Sequence, residues 1–458
     1  MKSMHIKLCV WLFVFLCFLC SLVLTTAAAQ SEPLPEALSL SEAIQIALQR
    51  NPKIKAAQFQ MESVGYKVIE ARSGFLPQIY FSEAFNRTTN PMWAFGTKLN
   101  QEIITQKDFE PARLNDPDAI NNFASTVSMS WMVYDGGQTI NSWKQAQLNH
   151  GVSSLMLSRV RQEVIAQTAT AYVGLLLSQE NLAVVERALE TATANLKMVR
   201  SRFEGGFVVK SDFLRAKVRI AELEQQRLLA ESEAKVAQAI LNATMGMPTD
   251  MPLNLVTPFD KCHETEGSIE MWINAALSKR QDLEQLRHQE EIAQKEIDKS
   301  KGGHLPDLQL IGNYEINSEN FDDTANNYTV GAVVRLNLFS GQRISAKIKA
   351  AKSYLYRMQQ FRKDMELGVR VQARESFLRT QSAWKRIAVA LTAVDQAEEN
   401  HRIVKNRYSN GLLTIVDLLD AEVTLHKTRT GHFKALHDYK VARIQLALAA
   451  GTIDAEFQ

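Results

Sequence analysis

The sequence has 458 residues, 46% of them hydrophobic, and its 52 basic residues nearly balance its 50 acidic residues. Because this balance leaves no general excess of positive charge, composition argues against a protein that binds nucleic acid through its overall charge. A chain of this length can bury large apolar surfaces and would ordinarily fold as two or three domains.

Residues 1–29 predict a secretory signal peptide. Lys2 and Lys7 precede an apolar run from Leu8 to Leu24, and a run of three alanines ends at Ala29. This order favours cleavage near Ala29 over retention as a membrane anchor, because small residues flank the site. The two lysines leave with the peptide and no acidic residue does, so 50 basic residues remain against 50 acidic ones. The exported chain is therefore formally neutral.

The remaining chain repeats itself once. The segment Arg202–Phe207 returns 205 residues later as Arg407–Leu412, whereas Phe75–Pro77 returns 229 residues later as His304–Pro306. The difference of 24 residues predicts an insertion in the first half. We place it in the stretch 90–122, which is rich in Pro, Asn and Asp, and we interpret it as a long loop.

Each half has the same predicted order: a helical segment, two short strands and a long helical hairpin. The predicted domains are a first repeat at 30–247, a linker at 248–267, a second repeat at 268–452 and a C-terminal end at 453–458. Proline, which ends or kinks helices, is absent between Gln138 and Met247 and after Pro306. We therefore predict the hairpins at 138–245 and 342–450. An ordinary coiled-coil rod would explain these helices equally well.

Four strands distinguish the chain from a rod. We predict them at about 76–87, 123–134, 305–316 and 328–339, each with apolar side chains at alternate positions. Such strands of about ten residues suit a tilted transmembrane strand, although a soluble hairpin shows the same pattern. Four strands leave two open edges, and unpaired backbone groups are prohibitive in lipid. We therefore expect several chains to pool their strands into one barrel in a membrane.

The chain resembles the TolC family of outer-membrane efflux channels over residues 38–452. The segments that carry the resemblance are Leu38–Ala43 leading into Asn51-Pro52, Phe75-Leu76-Pro77, Tyr134-Asp135-Gly136-Gly137, and Arg407-Tyr408 followed by Gly411 and Thr414–Ala421. The resemblance implies a mixed α/β membrane protein: a homotrimer with a twelve-stranded outer-membrane β-barrel continued by a periplasmic α-helical barrel. It further implies a periplasmic adaptor, an inner-membrane transporter and contact with outer-membrane lipid.

The turns between the long helices hold the candidate site residues. Gly206 and Gly411 lie where one helix stops, as expected for left-handed C-terminal caps. Asp212 and Asp417 open the next helix, where capping and a gating role remain equally plausible interpretations. Asp420 follows three residues after Asp417 and shares its helical face. In a trimer this face would give a ring of about six carboxylates, which favours cations.

The resemblance implies that Tyr408 helps to hold the periplasmic mouth closed. Leu413 occupies the position of the arginine that accompanies this tyrosine in the family, so the latch must differ here. Arg202 and Lys210 are nearby cations in the other repeat. Arg335, on the polar side of the last strand, is predicted to line the pore or to pair with a neighbouring strand.

Other patterns argue against catalysis. The nine histidines show no metal-ligand spacing, and no phosphate-binding glycine loop is evident. Once the signal peptide is removed, Cys262 is the single cysteine, which excludes an intramolecular disulfide. We expect no cofactor, no metal and no enzymatic activity. The expected function is a passive outer-membrane duct for efflux or type I secretion; the alternative is a soluble periplasmic coiled-coil scaffold.

Overall fold

The computed structural model describes residues 37–457, which form one four-stranded sheet and two long helical hairpins. The signal peptide predicted at 1–29 lies outside the described residues. The helices are α1 (Leu40–Arg50), α2 (Pro52–Ser73), α3 (Pro91–Asn100), α4 (Pro111–Asn115), α5 (Gln138–Glu204), α6 (Lys210–Met245), α7 (Ile269–Lys279), α8 (Gln281–Gly302), α9 (Arg343–Ser409), α10 (Ile415–Ala450) and α11 (Ile453–Phe457).

The internal repeat predicted from the sequence is confirmed by the lengths of the helices. α1 and α7 have 11 residues each, and α2 and α8 have 22 each. The long helices α5 and α9 have 67 residues each, and α6 and α10 have 36 each. At 1.5 Å per residue, α5 and α9 are each on the order of 100 Å long. Both follow a strand, so their far ends lie at a similar distance from the sheet.

The sheet contains β1 (Gln78–Thr88), β2 (Ile120–Asp135), β3 (Asp307–Ser318) and β4 (Ala325–Arg335) in antiparallel order β1-β2-β3-β4. Within residues 37–457, β1 pairs only with β2 and β4 only with β3, so both outer strands have a free edge. β4 ends at Arg335, whereas the alternating pattern predicts a strand to 339. The pairing explains the difference, because Arg335 pairs with Asp307, the first residue of β3.

The two faces of the sheet differ in polarity, because paired residues share a face and successive residues alternate. The apolar face includes Ile79, Phe81, Phe85, Val127, Met129, Trp131, Leu308, Leu310, Tyr314, Tyr328, Val330 and Val334. The polar face includes Ser82, Thr126, Ser128, Ser130, Asn313, Glu315, Asn317, Asn327, Thr329 and Arg335. Glu83 is an exception on the apolar face, where its carboxylate accepts a hydrogen bond from Ser125.

The insertion in the first half is folded, so its interpretation as a long loop is wrong. It contains α3, α4 and a short 3-10 helix at Gln106–Phe109. Pro91 and Pro111 stand at the first position of their helices, where proline is well suited because its missing N–H has no partner there. Asn90 caps α3 by accepting a hydrogen bond from the N–H of Trp93 at 3.3 Å.

A belt of short elements packs around the middle of the long helices. Its core includes Leu38 and Ile44 from the first repeat, Tyr172 from α5 and Ile444 from α10. Tyr172 is fully buried, and its hydroxyl donates to the carbonyl of Leu38 at 2.8 Å. Among residues 37–457, no helix is both long and apolar enough to cross a bilayer.

Candidate gate at the ends of the helical hairpins

The two helical hairpins meet at the ends remote from the sheet. Val199, Ala216, Tyr408, Ile415 and Leu418 form a buried apolar cluster there, which we call the hairpin-end cluster. It combines residues of all four long helices, so the two hairpins are held together at their tips. Both connecting turns are short, with α6 beginning at Lys210 and α10 at Ile415.

Both turns close with the same backbone motif. Gly206 has φ +79° and Gly411 has φ +75°, in the left-handed region that suits glycine. In the first turn the N–H of Phe207 donates to the carbonyl of Arg202 at 2.8 Å, and in the second the N–H of Leu412 donates to that of Arg407 at 2.9 Å. These are the long bonds of a Schellman cap. The sequence repeat therefore extends to the same capping motif at both tips.

The aspartates that follow the turns are used differently in the two repeats. The carboxylate of Asp417 accepts hydrogen bonds from the N–H of Thr414 at 2.9 Å and from its hydroxyl at 2.6 Å, forming a capping box. The bonds from Thr414 hold the pKa of Asp417 below its ordinary value. Val209 occupies the corresponding N-cap position of α6 and offers no side-chain acceptor, so Asp212 lacks this box.

Asp420 is exposed and lines a groove between the first turns of α6 and α10. The same groove is also lined by Leu214, Arg215 and Val423. Arg215 is the residue of the first repeat that is equivalent to Asp420, because the two are 205 residues apart. The structure therefore places Asp417 in a capping interaction and leaves the side chain of Asp420 open to solvent.

Tyr408 is the aromatic centre of the hairpin-end cluster, with 3% of its surface exposed. The guanidinium carbon of Arg202 lies 5.1 Å from the centre of its ring. Nη1 of Arg202 also donates to the backbone carbonyl of Tyr408 at 2.9 Å, and Nη2 donates to that of Ser409. Leu413 packs against the same cluster. A cation from the first repeat thus contacts the tyrosine, while the family's arginine position is filled by apolar packing.

Burial raises the pKa of the Tyr408 hydroxyl, and the negative charge of Asp212 adds to this effect while Arg202 opposes it. Among the described residues, none forms a hydrogen bond with the buried Tyr408 hydroxyl. Tyr408 therefore contributes to the packing of the two tips through its ring and its backbone carbonyl. The sequence indicated Arg202 only as a nearby cation and did not identify its contact with Tyr408.

A polar cluster lies deeper between the hairpins, and the sequence analysis does not identify it. Seven residues into α10, Glu422 is buried and accepts a hydrogen bond from the side chain of Asn195 on α5. Glu422 borders a cavity of about 50 Å³ that is also lined by Arg187, Arg219, His401, His426 and Arg429. Lys405 lies close enough for its charge to act on both His401 and Glu422. The sequence contains only a weak indication of this cluster, because its residues lie on four separate helices and become neighbours only in the folded chain.

Arg335 lies at the end of the sheet nearest the helices. Its Nε donates to Asp307 at 3.1 Å and its Nη2 donates to Gln309 at 3.1 Å, both on the neighbouring strand β3. All three side chains are on the polar face. Arg335 therefore has a cross-strand partner and also points to the polar side of the sheet.

Comparison with known proteins agrees with this architecture. The sequence model of the outer membrane efflux protein family matches residues 43–247 and 272–452. The chain is 25% identical to the alkaline protease secretion protein AprF of Pseudomonas aeruginosa, covering 91% of this chain and 85% of AprF. It is 22% identical to the outer membrane protein TolC of Escherichia coli, covering 92% and 84%.

Solved structures share the fold at low sequence identity. The structure of CusC superposes with a TM-score of 0.78 at 14% identity, covering 92% of this chain and 95% of CusC. VceC of Vibrio cholerae superposes with a TM-score of 0.74 at 18% identity, covering 90% and 96%. The family match and these neighbours favour a channel over a soluble scaffold. The chain belongs to the outer membrane efflux protein family and is an outer-membrane channel subunit with a TolC-like fold.

Proposed function

We propose that three copies of this chain form a passive exit duct that opens at its periplasmic end and receives cargo from an inner-membrane transporter through a periplasmic adaptor. The observation that carries the proposal is the four-stranded sheet with two free edges and one apolar face. A free edge cannot face lipid, because its backbone groups would be unsatisfied. Three copies would supply twelve strands, enough to close a membrane barrel.

The helical hairpins then continue the pore away from the membrane. The apolar residues Leu214, Val218, Val371 and Leu378 are exposed on α6 and α9 of a single chain. Long helices need partners along their length, and neighbouring copies would cover these side chains. The hairpin tips would converge at the end of the tube remote from the barrel, which is the periplasmic mouth in this proposal.

The mouth is the proposed gate. Arg202 and Tyr408 tie the first hairpin to the second, and the hairpin-end cluster keeps both tips packed. We propose that Asp417 and Asp420 of three copies form a ring of about six carboxylates at this constriction, which would favour cations. Asp212 acts on the same tip through its charge near Tyr408.

The class of cargo is determined by the transporter and adaptor rather than by the duct. AprF and PrtF are named as protease secretion proteins, and OpmQ is named for pyoverdine export, so relatives of this chain serve both kinds of export. We propose that the transporter and adaptor select the cargo and that this chain supplies the outlet for efflux or type I secretion.

Single-channel recording in planar bilayers tests this proposal. Protein purified from outer membranes should insert and give small, cation-selective conductance steps that increase when the tip contacts are weakened. A preparation that is correctly folded by circular dichroism but never conducts, in the native form or with weakened tips, would contradict it.

A further inference from the structure

The insertion between β1 and β2 is a small folded unit with its own contacts. Lys98 on α3 forms an ion pair with Asp108 at 2.7 Å. The other oxygen of Asp108 accepts hydrogen bonds from the N–H and the hydroxyl of Thr105, both at 2.7 Å. The rings of Phe95 and Phe109 meet edge to face at 5.6 Å. These contacts hold the helices of the insertion in one arrangement.

This unit is attached to the end of the sheet farthest from the helices. The amide of Gln101 donates to the backbone carbonyl of Asn121 at 2.8 Å and to the side-chain oxygen of Asn122 at 2.9 Å. Asn122 in turn donates to the side chain of Asn317 at 2.7 Å, and Asn317 is fully buried. A chain of buried amides therefore ties α3 to β2 and β3.

The amide chain identifies the face that the unit covers. Asn317 pairs with Ala124 on β2 and with Ala325 on β4, so its side chain and that of Asn122 belong to the polar face. α3 contacts β2 and β4, which lie on either side of β3. The helix therefore crosses the polar face at its outer end, where Ala94 of α3 and Ala325 of β4 are buried.

The opposite face at the same end is covered by a different segment. Phe321, in the turn between β3 and β4, packs against Phe123 with ring centres 4.1 Å apart. Phe123 also contacts Phe85 with ring centres 4.7 Å apart. These rings belong to the apolar face. The two loops at the outer end thus separate, one to each side of the sheet.

We propose that residues 91–115 form a lid that lies across the outer opening of the pore and narrows it. The inference rests on the proposed trimeric duct, in which the apolar face meets lipid and the polar face lines the water-filled interior. A unit fixed on the polar face then lies inside the opening, and three copies surround one outlet. The lid sets a size limit at the outer end that is independent of the gate at the hairpin tips.

Conductance measurements can distinguish the lid from the gate, because the two constrictions lie in series and each can be weakened separately. The test variants replace residues 89–119 by Asn-Gly, a two-residue turn that joins the paired ends of β1 and β2. They are recorded in planar bilayers in the native background and together with Arg202→Ala, which weakens the tips. In the weakened background we expect the lid deletion to raise conductance at least about twofold, because pore width limits conduction.

A point variant keeps the test decisive if the deletion does not fold. Gln101→Ala removes the bonds to Asn121 and Asn122 while leaving the lid in the chain, and should give larger and less steady conductance in the Arg202→Ala background. Asn327→Ala, which changes an exposed amide on the same polar face, is the matched control and should leave conductance unchanged.

Unchanged conductance in both the deletion and the Gln101→Ala variant would overturn the lid, because a unit outside the pore would not affect ion flow. A different result would overturn the duct itself: the absence of channels from the unaltered protein and from Arg202→Ala alike. The two failures are therefore distinguishable.

Discussion

Arg202 and Tyr408 are 206 residues apart in the chain and form a cation–π contact between the two hairpins. The guanidinium carbon lies 5.1 Å from the ring centre, and Nη1 donates to the tyrosine carbonyl at 2.9 Å. This pair joins α5 to the last turn of α9, which are otherwise connected here through apolar packing. It supplies a cation at a tip where Leu413 offers only a hydrocarbon side chain.

Removing the positive charge of Arg202 should open the proposed gate. Arg202→Ala deletes a cation–π contact and two charged hydrogen bonds, which together stabilise the closed tip by on the order of 2 kcal/mol, or roughly 30-fold in the closed-to-open equilibrium. Single-channel recording should show a larger mean conductance or open fraction. Arg407→Ala is the matched control, because Arg407 is the repeat-related arginine and is exposed. Equal effects of the two variants would argue against a specific role for Arg202.

Variants can separate the two roles of the carboxylates at the proposed mouth: capping a helix and supplying negative charge to the pore. Asp420→Asn should lower the cation-to-anion permeability ratio, roughly halving it, because Asp420 is exposed and carries no capping bond in the described chain. Asp417→Asn should lower the ratio and also weaken the start of α10, since Asp417 completes the capping box.

Thr414→Ala is the control for these carboxylate variants. It removes the N-cap hydroxyl but no charge, so it should destabilise the start of α10 by about 1 kcal/mol and leave ion selectivity unchanged. Reversal potentials in a salt gradient measure selectivity, and thermal unfolding measures the cap. A shift of the reversal potential in Thr414→Ala as large as in Asp420→Asn would contradict the acidic ring.

Acid should weaken the packing of the hairpins through two half-buried histidines. Burial lowers the pKa of both His401 and His426, and nearby positive charges add to the effect. The folded chain therefore keeps them neutral at a pH where the unfolded chain binds protons. Their contribution to stability is full above the ordinary histidine value of about 6.5 and is lost as the pH falls from there through their lowered pKa. The double variant His401→Gln/His426→Gln should reduce this loss, whereas His304→Gln, at an exposed residue, should not.

Glu422 should change the stability of the fold with pH in the opposite direction to the two histidines. Burial raises its pKa, although Asn195, Arg219 and Lys405 oppose this effect. The folded chain holds a proton that the unfolded chain has released, so its contribution is full below the ordinary glutamate value and is lost as the pH rises through the raised pKa. Glu422→Gln should raise the melting temperature near pH 7 and make the acid loss steeper. Identical pH profiles of all these variants and the native chain would exclude the cluster as a source of pH dependence.

The parts of the fold with a regular sequence period could be predicted. The 205-residue repeat fixes the equal lengths of α5 and α9, and the alternation around Met129 and Val334 identifies the apolar side of the sheet. The alternating pattern predicts too late an end for β4, because it continues to Leu338, whereas a strand requires a paired neighbour. The proline-rich composition around Pro91 and Pro111 predicts a loop, although proline is equally well suited to the first position of a helix.

The chemistry of the site was less accessible from sequence. Gly206, Gly411 and Asp417 could be located because their roles depend on residues within one turn. The contact of Arg202 with Tyr408 depends on how two hairpins from different repeats pack against each other. No local pattern reports such a contact, and the cavity beside Glu422 depends on four helices in the same way.

The mass of the detergent-solubilised protein, measured by light scattering with the detergent contribution subtracted, tests most directly whether one chain is an incomplete barrel. Three copies per particle are expected, since each sheet needs neighbours on both edges. A single copy per particle that also remains dispersed after the detergent is removed would contradict it.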